Sequence, residues 1–413
     1  MISFQTPPHI QNMQNVLQMV AENMMRPVSR YYDEHEHEIP WDYINFIHEA
    51  MLQSGAGSLT PDENGKPRKG PRTFYQQLVF TIEMLSWGDV GLYLCTPGGG
   101  LGAAAVEATG TPEQKKRFLA RFRAKKPAFG AMAMTEPHAG SDTSAIKTRA
   151  VLDPETNEWV LNGEKIFVTA GKKALEDTDG LIVVWATIDP EAGRAGMRPF
   201  VIEAGTPGIK ITKLEEKMGI RASDTAAIVL QDCRIPYENL LGSPEVVRKK
   251  STAAGFKGAM KTFDATRPAV SASAVGVARA ALELLKEMLA QEGIQLRYGL
   301  PRQKLTNIER EVIDMEIMLR SAWLLTIKAA WMADNGKPNP LEASMSKVKA
   351  GEIVNKITQK AVELMGPLGY SREHLLEKWF RDAKISDIYE GTGQINRLIV
   401  ARHILGYSGR MLR

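Results

Sequence analysis

The chain has 413 residues, of which 44% are hydrophobic and 24% are charged, the balance of an ordinary soluble globular protein with two or three packed subdomains. The formal net charge of +4 is small for this length, and basic residues form only short clusters, at 115–117 and 248–250, which argues against a nucleic-acid-binding protein. Cys95 and Cys233 lie far apart without Cys or His neighbours at metal spacing, so we expect no disulfide framework and no metal site.

The first ten residues, MISFQTPPHI, lack the basic region and apolar run of a secretory signal and the Arg/Ser-rich character of a transit peptide. No window reaches the roughly 18 apolar residues of a membrane span. We therefore expect no membrane span and a cytoplasmic location.

Helical spacing of apolar residues runs over 10–122, as in Met13, Val16 and Val20. A polar stretch rich in Gly and Pro, residues 55–72, interrupts this pattern and is interpreted as a surface loop. These features predict a helical domain at 1–127.

Short β-rich runs follow over 128–241, with turn signals at Asn162-Gly163, Asp179-Gly180 and 206–208. They predict a small antiparallel sheet. The runs are Trp159-Val160-Leu161, 182–186 and 227–230.

Helical periodicity returns in the last part, residues 242–413. Its apolar positions follow alternating steps of four and three, so one apolar face runs through the segment. The order of a helical, a β and a second helical domain creates clefts at domain boundaries, which ligand sites favour. The apolar face of this last helical segment consists of Ile308, Val312, Met315, Leu319 and Ala322.

Residues 134–142, MTEPHAGSD, form a segment in which Pro137 and Gly140 force an irregular backbone while Thr135 and Ser141 offer hydroxyls and amides. Such a loop holds a phosphate or the edge of a planar heterocycle by main-chain donors. A well-capped structural turn has the same composition, and both interpretations remain open.

Residues 388–397, IYEGTGQINR, form a second segment, in which Glu390 precedes a helical pattern with Thr392 as its predicted N-cap. A carboxylate beside Gly391 and apolar neighbours is desolvated, which raises its pKa towards that of a useful general base. Alternatively, Glu390 is an acid near a helix start, where negative charge is favoured.

Together these segments resemble the two best-known signatures of the acyl-CoA dehydrogenases. The resemblance continues, in the family's order, through 161–171 (LNGEKIFVTAG), 218–225 (MGIRASDT), 235–240 (IPYENL), 263–268 (FDATRP) and 381–384 (RDAK), and covers roughly residues 80–405. It implies an α+β fold with an N-terminal helical bundle, a middle antiparallel β domain and a C-terminal four-helix bundle.

The resemblance also implies FAD-dependent dehydrogenation of an acyl-CoA thioester to a trans-2-enoyl-CoA. Glu390 would be the base that removes the α proton, with hydride transfer to flavin N5, since Thr266 stands where some relatives carry their catalytic glutamate. The Glu390 amide and a ribityl hydroxyl of FAD would stabilise the enolate. An electron-transfer flavoprotein would accept the electrons, and the chain would form a homo-tetramer or a hetero-tetramer with a related subunit.

Further site residues follow from the same resemblance. Arg267 has two open interpretations, contact with the acyl-CoA or an ion pair with Asp264. The cofactor-binding positions would be Met132, Thr135, Ser141, Phe167, Thr169, Arg297, Tyr298, Gly366, Thr392 and Gln394. The substrate-binding positions would be Ser141, Asp264, Arg267, Tyr389 and Gly391.

Three positions depart from the family pattern. Phe167 replaces a usual Trp and loses the indole donor, while QLRYG at 295–299 replaces Arg-x-x-Phe-Gly. ELMGPLG at 363–369 replaces Gln-x-x-Gly-Gly-x-Gly, so Glu363 would repel a diphosphate and Pro367 removes a backbone donor. The changes at Glu363 and Pro367 motivate one alternative, a flavin-poor or regulatory subunit of a hetero-oligomer. A flavin oxidase of the same fold is a second alternative, although relatives of that kind tend to lose the residues that correspond to Glu390 and Arg267.

Overall fold

The computed structural model describes residues 6–54, 73–246, 254–407 and 411 of the chain. The predicted surface loop at 55–72 and the basic cluster at 248–250 lie outside these residues. The three parts of the chain follow one another as helices, sheet and helices.

The amino-terminal part is helical, as the apolar spacing predicted. Its helix α6 begins with a capping box, in which the Thr111 hydroxyl accepts from the Gln114 amide and the Gln114 side chain accepts from the Thr111 amide. Helix α1 continues through a π-helical turn and a 3-10 turn into α2. The helices are α1 (Pro8–Val20), α2 (Ser29–Glu34), α3 (Trp41–Ser54), α4 (Phe74–Tyr93), α5 (Gly100–Thr109) and α6 (Pro112–Leu119).

The middle part is one seven-stranded sheet. The pairs β2–β3, β3–β7, β6–β7 and β4–β5 are antiparallel, as predicted, but β4 pairs in parallel with β1 and, through Arg149 and Thr187, with β2. These exceptions arise because the chain passes through β2 and β3 before β4 enters the sheet between β1 and β2. The strands are β1 (Gly130–Ala133), β2 (Arg149–Asp153), β3 (Glu158–Thr169), β4 (Leu181–Thr187), β5 (Met197–Glu203), β6 (Ile209–Leu214) and β7 (Thr225–Pro236).

The predicted turn at Asn162-Gly163 is wrong, because both residues lie inside β3. The register against β7 shifts between Leu161 and Gly163, so the pair marks a β-bulge within a long strand. Gly163 has a φ of 147°, and a Cβ there would come within 2.6 Å of the Thr148 hydroxyl. Close backbone approach, and not a change of direction, explains this glycine.

The carboxy-terminal part is a helical bundle in which α7, α8, α9 and α12 pack together, with α11 against α9. The predicted apolar face of α8 is confirmed, since Val312, Met315 and Ala322 are buried and Ile308 and Leu319 pack against the same core. The helices are α7 (Ala254–Gln291), α8 (Asn307–Asp334), α9 (Pro340–Met365), α10 (Pro367–Tyr370), α11 (Leu376–Ala383) and α12 (Gly393–Leu405).

Helix α7 corrects one expectation from the sequence. Its segment Thr266–Gln291 is long and apolar enough to cross a membrane by length and composition, the single such helix among the described residues. However, 78% of its most apolar window is buried inside the protein. At Gly276 the helix lies so close to α4 that a Cβ would come within 2.2 Å of the Glu83 carbonyl oxygen. The apolar composition of α7 is therefore that of a central core helix.

Candidate active site

The turn that carries Glu390 lies between α11 and α12. A 3-10 turn (Lys384–Asp387) follows α11, and Glu390 and Gly391 then have left-handed φ values of 51° and 90°. This region is uncommon for a residue with a side chain, and such strain is often kept at functional sites. The amide of Glu390 donates to no acceptor within the part of the chain that the structure describes.

The Glu390 carboxylate is half-buried and receives one short hydrogen bond, from the Thr266 hydroxyl to Oε2 at 2.7 Å. Burial raises the pKa of Glu390, while the Thr266 hydroxyl and the nearby charges of Lys347 and Arg267 oppose this rise. A carboxylate whose pKa is raised in this way suits proton abstraction near neutral pH. Of the two sequence interpretations, this environment favours the general base over a simple helix-start acid.

Arg267 forms the ion pair with Asp264 that was one of its two interpretations from the sequence, and its contact with the acyl-CoA stays a prediction. Its Nη1 donates to Asp264 Oδ1 at 2.8 Å, and the residue is only 3% exposed. A Cβ on Gly391 would lie 3.9 Å from its Nη2, so the guanidinium also borders the turn of Glu390. Burial lowers the pKa of Arg267 and raises that of Asp264, although each charge partly offsets the effect on the other.

Two tyrosines lie near the carboxylate. The Tyr389 hydroxyl lies 3.4 Å from Ser273 Oγ on α7, and burial raises its pKa to about 12. Burial also raises the pKa of Tyr93, at the end of α4, with further contributions from Tyr389 and Glu390. The site is therefore built by α4, α7, α9 and the turn before α12.

Thr392 is the N-cap of α12, as predicted: its hydroxyl accepts from the Ile395 amide at 3.2 Å. The fully buried Asn396 donates through Nδ2 to the carbonyl oxygens of Gly391 and Thr392, at 2.8 and 3.1 Å. Asn396 thereby holds the turn in place, whereas Gln394 is exposed on the first turn of the helix.

In the segment at 134–142, Glu136 has a structural role that the sequence did not indicate. Its carboxylate is 3% exposed and accepts from Lys165 Nζ at 2.7 Å and from the amides of Lys147 and Thr148 at 2.7 and 3.0 Å. Lys165 also donates to the Met134 carbonyl oxygen at 3.0 Å. The buried ion pair of Glu136 and Lys165 therefore connects this loop to β3.

The predicted flavin-facing positions lie around that pair. Met132 is half-buried in β1, Thr135 is half-buried and its carbonyl oxygen accepts from the Ile166 amide at 2.9 Å, and Ser141 is exposed. Neither the hydroxyl of Thr135 nor that of Ser141 bonds another described side chain, and these positions remain predicted contacts.

Phe167 and Thr169 lie at the end of β3, where the register against β7 shifts again. Phe167 has a φ of 59° and is 60% exposed, an uncommon position for a large aromatic side chain in a strand. Ala170, which follows with a φ of 57°, donates its amide to the Asp224 carbonyl oxygen at 3.2 Å. The bulge presents an aromatic ring and the half-buried Thr169 on the same stretch of chain.

The residues predicted for the diphosphate half of the cofactor are engaged within the chain. Arg297 donates from Nε and Nη2 to the two oxygens of Glu309, both at 2.8 Å, and Tyr298 donates to Glu316 at 2.8 Å. Gly366 ends α9 with a φ of 57°. Glu363 pairs with Lys360 at 2.9 Å.

Sequence reasoning missed the bond from Thr266, the buried Lys347, and the supporting residues Asn396 and Glu136. Lys347 lies on the buried face of α9 among Ser344, Ser346 and Ala350, where its sequence neighbours give no sign of a functional role. No group of three or more potential metal ligands occurs in the described residues.

The arrangement of the helices, the sheet and the turn of Glu390 is that of the acyl-CoA dehydrogenases, and the chain belongs to this family. The family models match along the chain, with the N-terminal domain at 7–126, the middle domain at 131–233 and the C-terminal domain at 253–405.

Among curated proteins, the chain is 36% identical over 390 residues to an acryloyl-CoA reductase (NADH) of Anaerotignum propionicum, covering 93% of this chain and 91% of that protein. It is 34% identical to a short-chain specific acyl-CoA dehydrogenase of Clostridium acetobutylicum, covering 94% and 97%. The chain is an oxidoreductase of the acyl-CoA dehydrogenase type.

Among solved structures, butyryl-CoA dehydrogenase from Megasphaera elsdenii is similar with a TM-score of 0.82 and 30% identity, covering 98% of this chain and 100% of that one. A chain from the structure described as the electron transferring flavoprotein of Acidaminococcus fermentans is similar with a TM-score of 0.84 and 32% identity, covering 98% and 100%.

FAD is the cofactor of this family, and the flavin-facing part of the chain fits it. The exposed ring of Phe167 offers a planar contact to a flavin ring. The fit is weaker for the adenosine diphosphate, because Arg297 is already bound to Glu309 and the acidic Glu363 lies in the corresponding segment.

Proposed function

We propose that the chain removes the α proton of a short-chain acyl-CoA with Glu390 as the base, giving the trans-2-enoyl-CoA. The observation that carries this proposal is the environment of Glu390. The carboxylate has a raised pKa, accepts one hydroxyl bond within the described residues and lies near two buried cations, and the backbone of Glu390 is left-handed. These features match a base that must be ionised but weakly solvated.

The chemistry follows from where charge develops. As the α proton moves to a Glu390 oxygen, negative charge builds up on the thioester carbonyl oxygen, and a directed amide donor stabilises it. The Glu390 N–H, which has no acceptor within the described residues, is available for this bond. Bound FAD supplies the acceptor for the hydride that leaves the β carbon.

The proposed holding residues follow the predicted contacts. Phe167 covers the flavin ring, and Thr169 and Thr392 bond its polar edges and side chain. On the substrate side, Arg267 and Asp264 orient the acyl-CoA and Tyr389 lines the acyl pocket. Met132, Thr135, Ser141, Gln394 and Gly391 complete the predicted contacts, while Arg297, Tyr298 and Gly366 would meet the diphosphate half.

A short acyl chain is favoured by the similar proteins, whose names specify short-chain, butyryl-CoA and acryloyl-CoA substrates.

We further propose that an electron-transfer flavoprotein accepts the electrons, that the chain assembles as a tetramer and that it is cytoplasmic. The similarity to a chain from the electron transferring flavoprotein structure supports the first of these. The 36% identity to a reductase supports operation in the opposite direction as a second activity of the same site.

One alternative keeps the fold but changes the role. The bidentate pair of Arg297 with Glu309 and the acidic Glu363 weaken the contacts expected for the adenosine diphosphate. They favour a subunit that depends on a related partner to hold FAD, and flavin content per purified chain tests this alternative.

The proposal is tested by the visible absorption spectrum of the purified protein under anaerobic conditions, before and after addition of acyl-CoA thioesters of increasing length. We expect a bound flavin that is bleached fastest by acyl chains of roughly three to six carbons. The rate of bleaching should be about tenfold higher than with a chain of eight carbons.

A flavin that no acyl-CoA bleaches would contradict the proposed reaction. Bleaching by long chains alone would contradict the proposed substrate range and leave the reaction standing. A protein without flavin that gains it on mixing with a related subunit would favour the partner-dependent alternative.

A further inference from the structure

One face of α9 is fastened to the chain segment that leads to Glu390. Lys347, Gly351 and Asn355 follow one another at intervals of four residues and therefore share a face of the helix. At Gly351 a Cβ would come within 2.8 Å of the Ser386 carbonyl oxygen, so the backbone at 386–387 lies directly on the helix. Asn355 Nδ2 reaches the Ala383 carbonyl oxygen at 3.4 Å.

Lys347 is the charged member of this face. It is 1% exposed, and its Nζ donates to the Ser386 carbonyl oxygen at 2.7 Å and lies 5.9 Å from the centre of the Tyr389 ring. No carboxylate lies within ion-pair distance of this Nζ in the described part of the chain. Burial of an ammonium group without a directly bonded carboxylate costs free energy of folding, unless a nearby negative charge offsets that cost.

The other charged groups around Glu390 differ from Lys347 in their partners. Arg267 is the second cation near the base, but it is bonded to Asp264 at 2.8 Å, which offsets its charge. Asp387 lies beside Lys347 and acts on it electrostatically. The charged and titratable groups around the pair of Lys347 and Glu390 are Asp264 and Arg267 on α7, Tyr93 on α4, Asp387 and Tyr389 in the turn, and His403 on α12, which acts on Asp264.

We propose that Lys347 is a positioning residue for proton abstraction, which holds the turn of Glu390 on α9 through Ser386 and supplies the positive charge that keeps the base ionised. This inference rests on the proposed role of Glu390. It assigns Lys347 two separable contributions, one through its hydrogen bond and one through its charge.

The mutual electrostatic influence of Lys347 and Glu390 on their pKa values agrees with this geometry. Burial lowers the pKa of Lys347 to about 8, against the opposing influence of Asp387 and Glu390. The ammonium form therefore dominates at neutral pH, where it favours ionised Glu390. Without this charge the pKa of Glu390 rises further, and the base is protonated over a wider range of acidic pH.

Three holoenzyme variants separate the contributions. Lys347→Met removes the charge and the hydrogen bond, Lys347→Arg keeps the charge, and Asn355→Ala loosens the neighbouring attachment of the same backbone without changing charge. Lys347→Gln replaces Lys347→Met if the latter does not fold, since it removes the charge and keeps an N–H donor. Each is measured for the rate of flavin reduction from pH 5.5 to 9 and for exchange of the substrate α proton with deuterated water.

We expect Lys347→Met to move the acidic limb of both profiles upward by about one pH unit, so that rates on that limb fall about tenfold. Lys347→Arg should restore the wild-type limb, and Asn355→Ala should lower the rate equally at all pH values. α-Proton exchange reports the base without hydride transfer, so it keeps this test separate from the redox step.

Coincident profiles for Lys347→Met and the wild-type enzyme would overturn the proposal, as would an equal shift in Asn355→Ala. A wild-type enzyme that neither exchanges the α proton nor reduces its flavin would instead contradict the proposed function itself.

Discussion

The two signature segments each contain a glutamate, buried Glu136 and half-buried Glu390, and the two carboxylates have opposite environments. Glu136 accepts from Lys165 at 2.7 Å and from two backbone amides, whereas Glu390 accepts one hydroxyl bond from Thr266. Burial raises the pKa of Glu136 as well, but the charge of Lys165 and these bonds outweigh it and hold that pKa below its usual range. For Glu390 burial dominates, and its pKa is raised.

The difference shows how one fold separates a structural acid from a reactive one. A carboxylate whose oxygens are saturated by a bonded ammonium group and amides is stable as an anion and has no reason to take up a proton. A carboxylate with one donor and two cations at a greater distance is ionised but easily protonated, as a general base requires.

The largest expected effect follows from Glu390→Gln, which keeps the size of the side chain and removes the base. Flavin reduction by a short-chain acyl-CoA should slow by about 10²–10⁴-fold, measured by anaerobic stopped-flow absorption. Flavin content and the free energy of unfolding should be retained, because burial already disfavours the ionised form of Glu390. A variant that still bleaches at the wild-type rate would rule out Glu390 as the base.

Glu136→Gln should have the converse effect, on stability and not on chemistry. It leaves the 0%-exposed Lys165 without its charged partner, which should lower the free energy of unfolding by about 3–5 kcal/mol and weaken flavin retention. Urea titration with flavin release as a second probe measures both. An unchanged midpoint would show that the pair contributes little to the fold.

The same two variants should respond to pH with opposite signs. The pKa of Glu136 is lowered, so its stabilising contribution is present above an unfolded value near 4.5 and is lost as the pH falls through the folded value. The pKa of Glu390 is raised from 4.5, so ionisation in the folded state costs stability as the pH rises through the raised value.

Unfolding by urea at pH 7 and pH 4 should therefore show Glu136→Gln less stable than wild type and Glu390→Gln equal or more stable at pH 7. Both differences should shrink at pH 4. Differences of the same sign at pH 7 would remove the contrast between the two carboxylates.

The smallest effect should come from Thr266→Val, which removes the hydroxyl bonded to Glu390 Oε2 at 2.7 Å. A hydrogen bond to a charged group contributes about 1.5–3 kcal/mol, so flavin reduction should slow about tenfold at acidic pH and less at alkaline pH. Thr266→Ser keeps the hydroxyl and serves as the control. Equal rates for the valine and serine variants would show that the bond does not tune the base.

Much of the fold was predictable from local pattern. The β-rich runs at 159–161, 182–186 and 227–230 lie in β3, β4 and β7, and the apolar face of α8 is buried as its spacing indicated. One failure was at Asn162-Gly163, where a signal that is typical of a turn belongs to a bulge within β3. The expectation that no window is apolar enough for a membrane span was also wrong, because Thr266–Gln291 meets that test as a buried core helix.

The site was predictable only where a motif carries it. Glu390, Gly391 and Thr392 are adjacent in sequence, and the N-cap at Thr392 is found as predicted. Asn396 and Lys347 were not found, because their importance lies in contacts with carbonyl oxygens, at Gly391 and Ser386, that no side-chain pattern encodes. Arg297 was assigned to the cofactor from the family resemblance, whereas the structure pairs it with Glu309.

The sequence by itself determined the order of helices, strands and helices, the family resemblance and the identity of the two acidic segments, since these depend on neighbouring residues and on apolar period. The tertiary structure alone decided which glutamate is the saturated anion and which is the poised base. That choice depends on burial and on charges brought from positions 165, 266, 267 and 347, and electrostatic interaction follows distance in space, not distance along the chain.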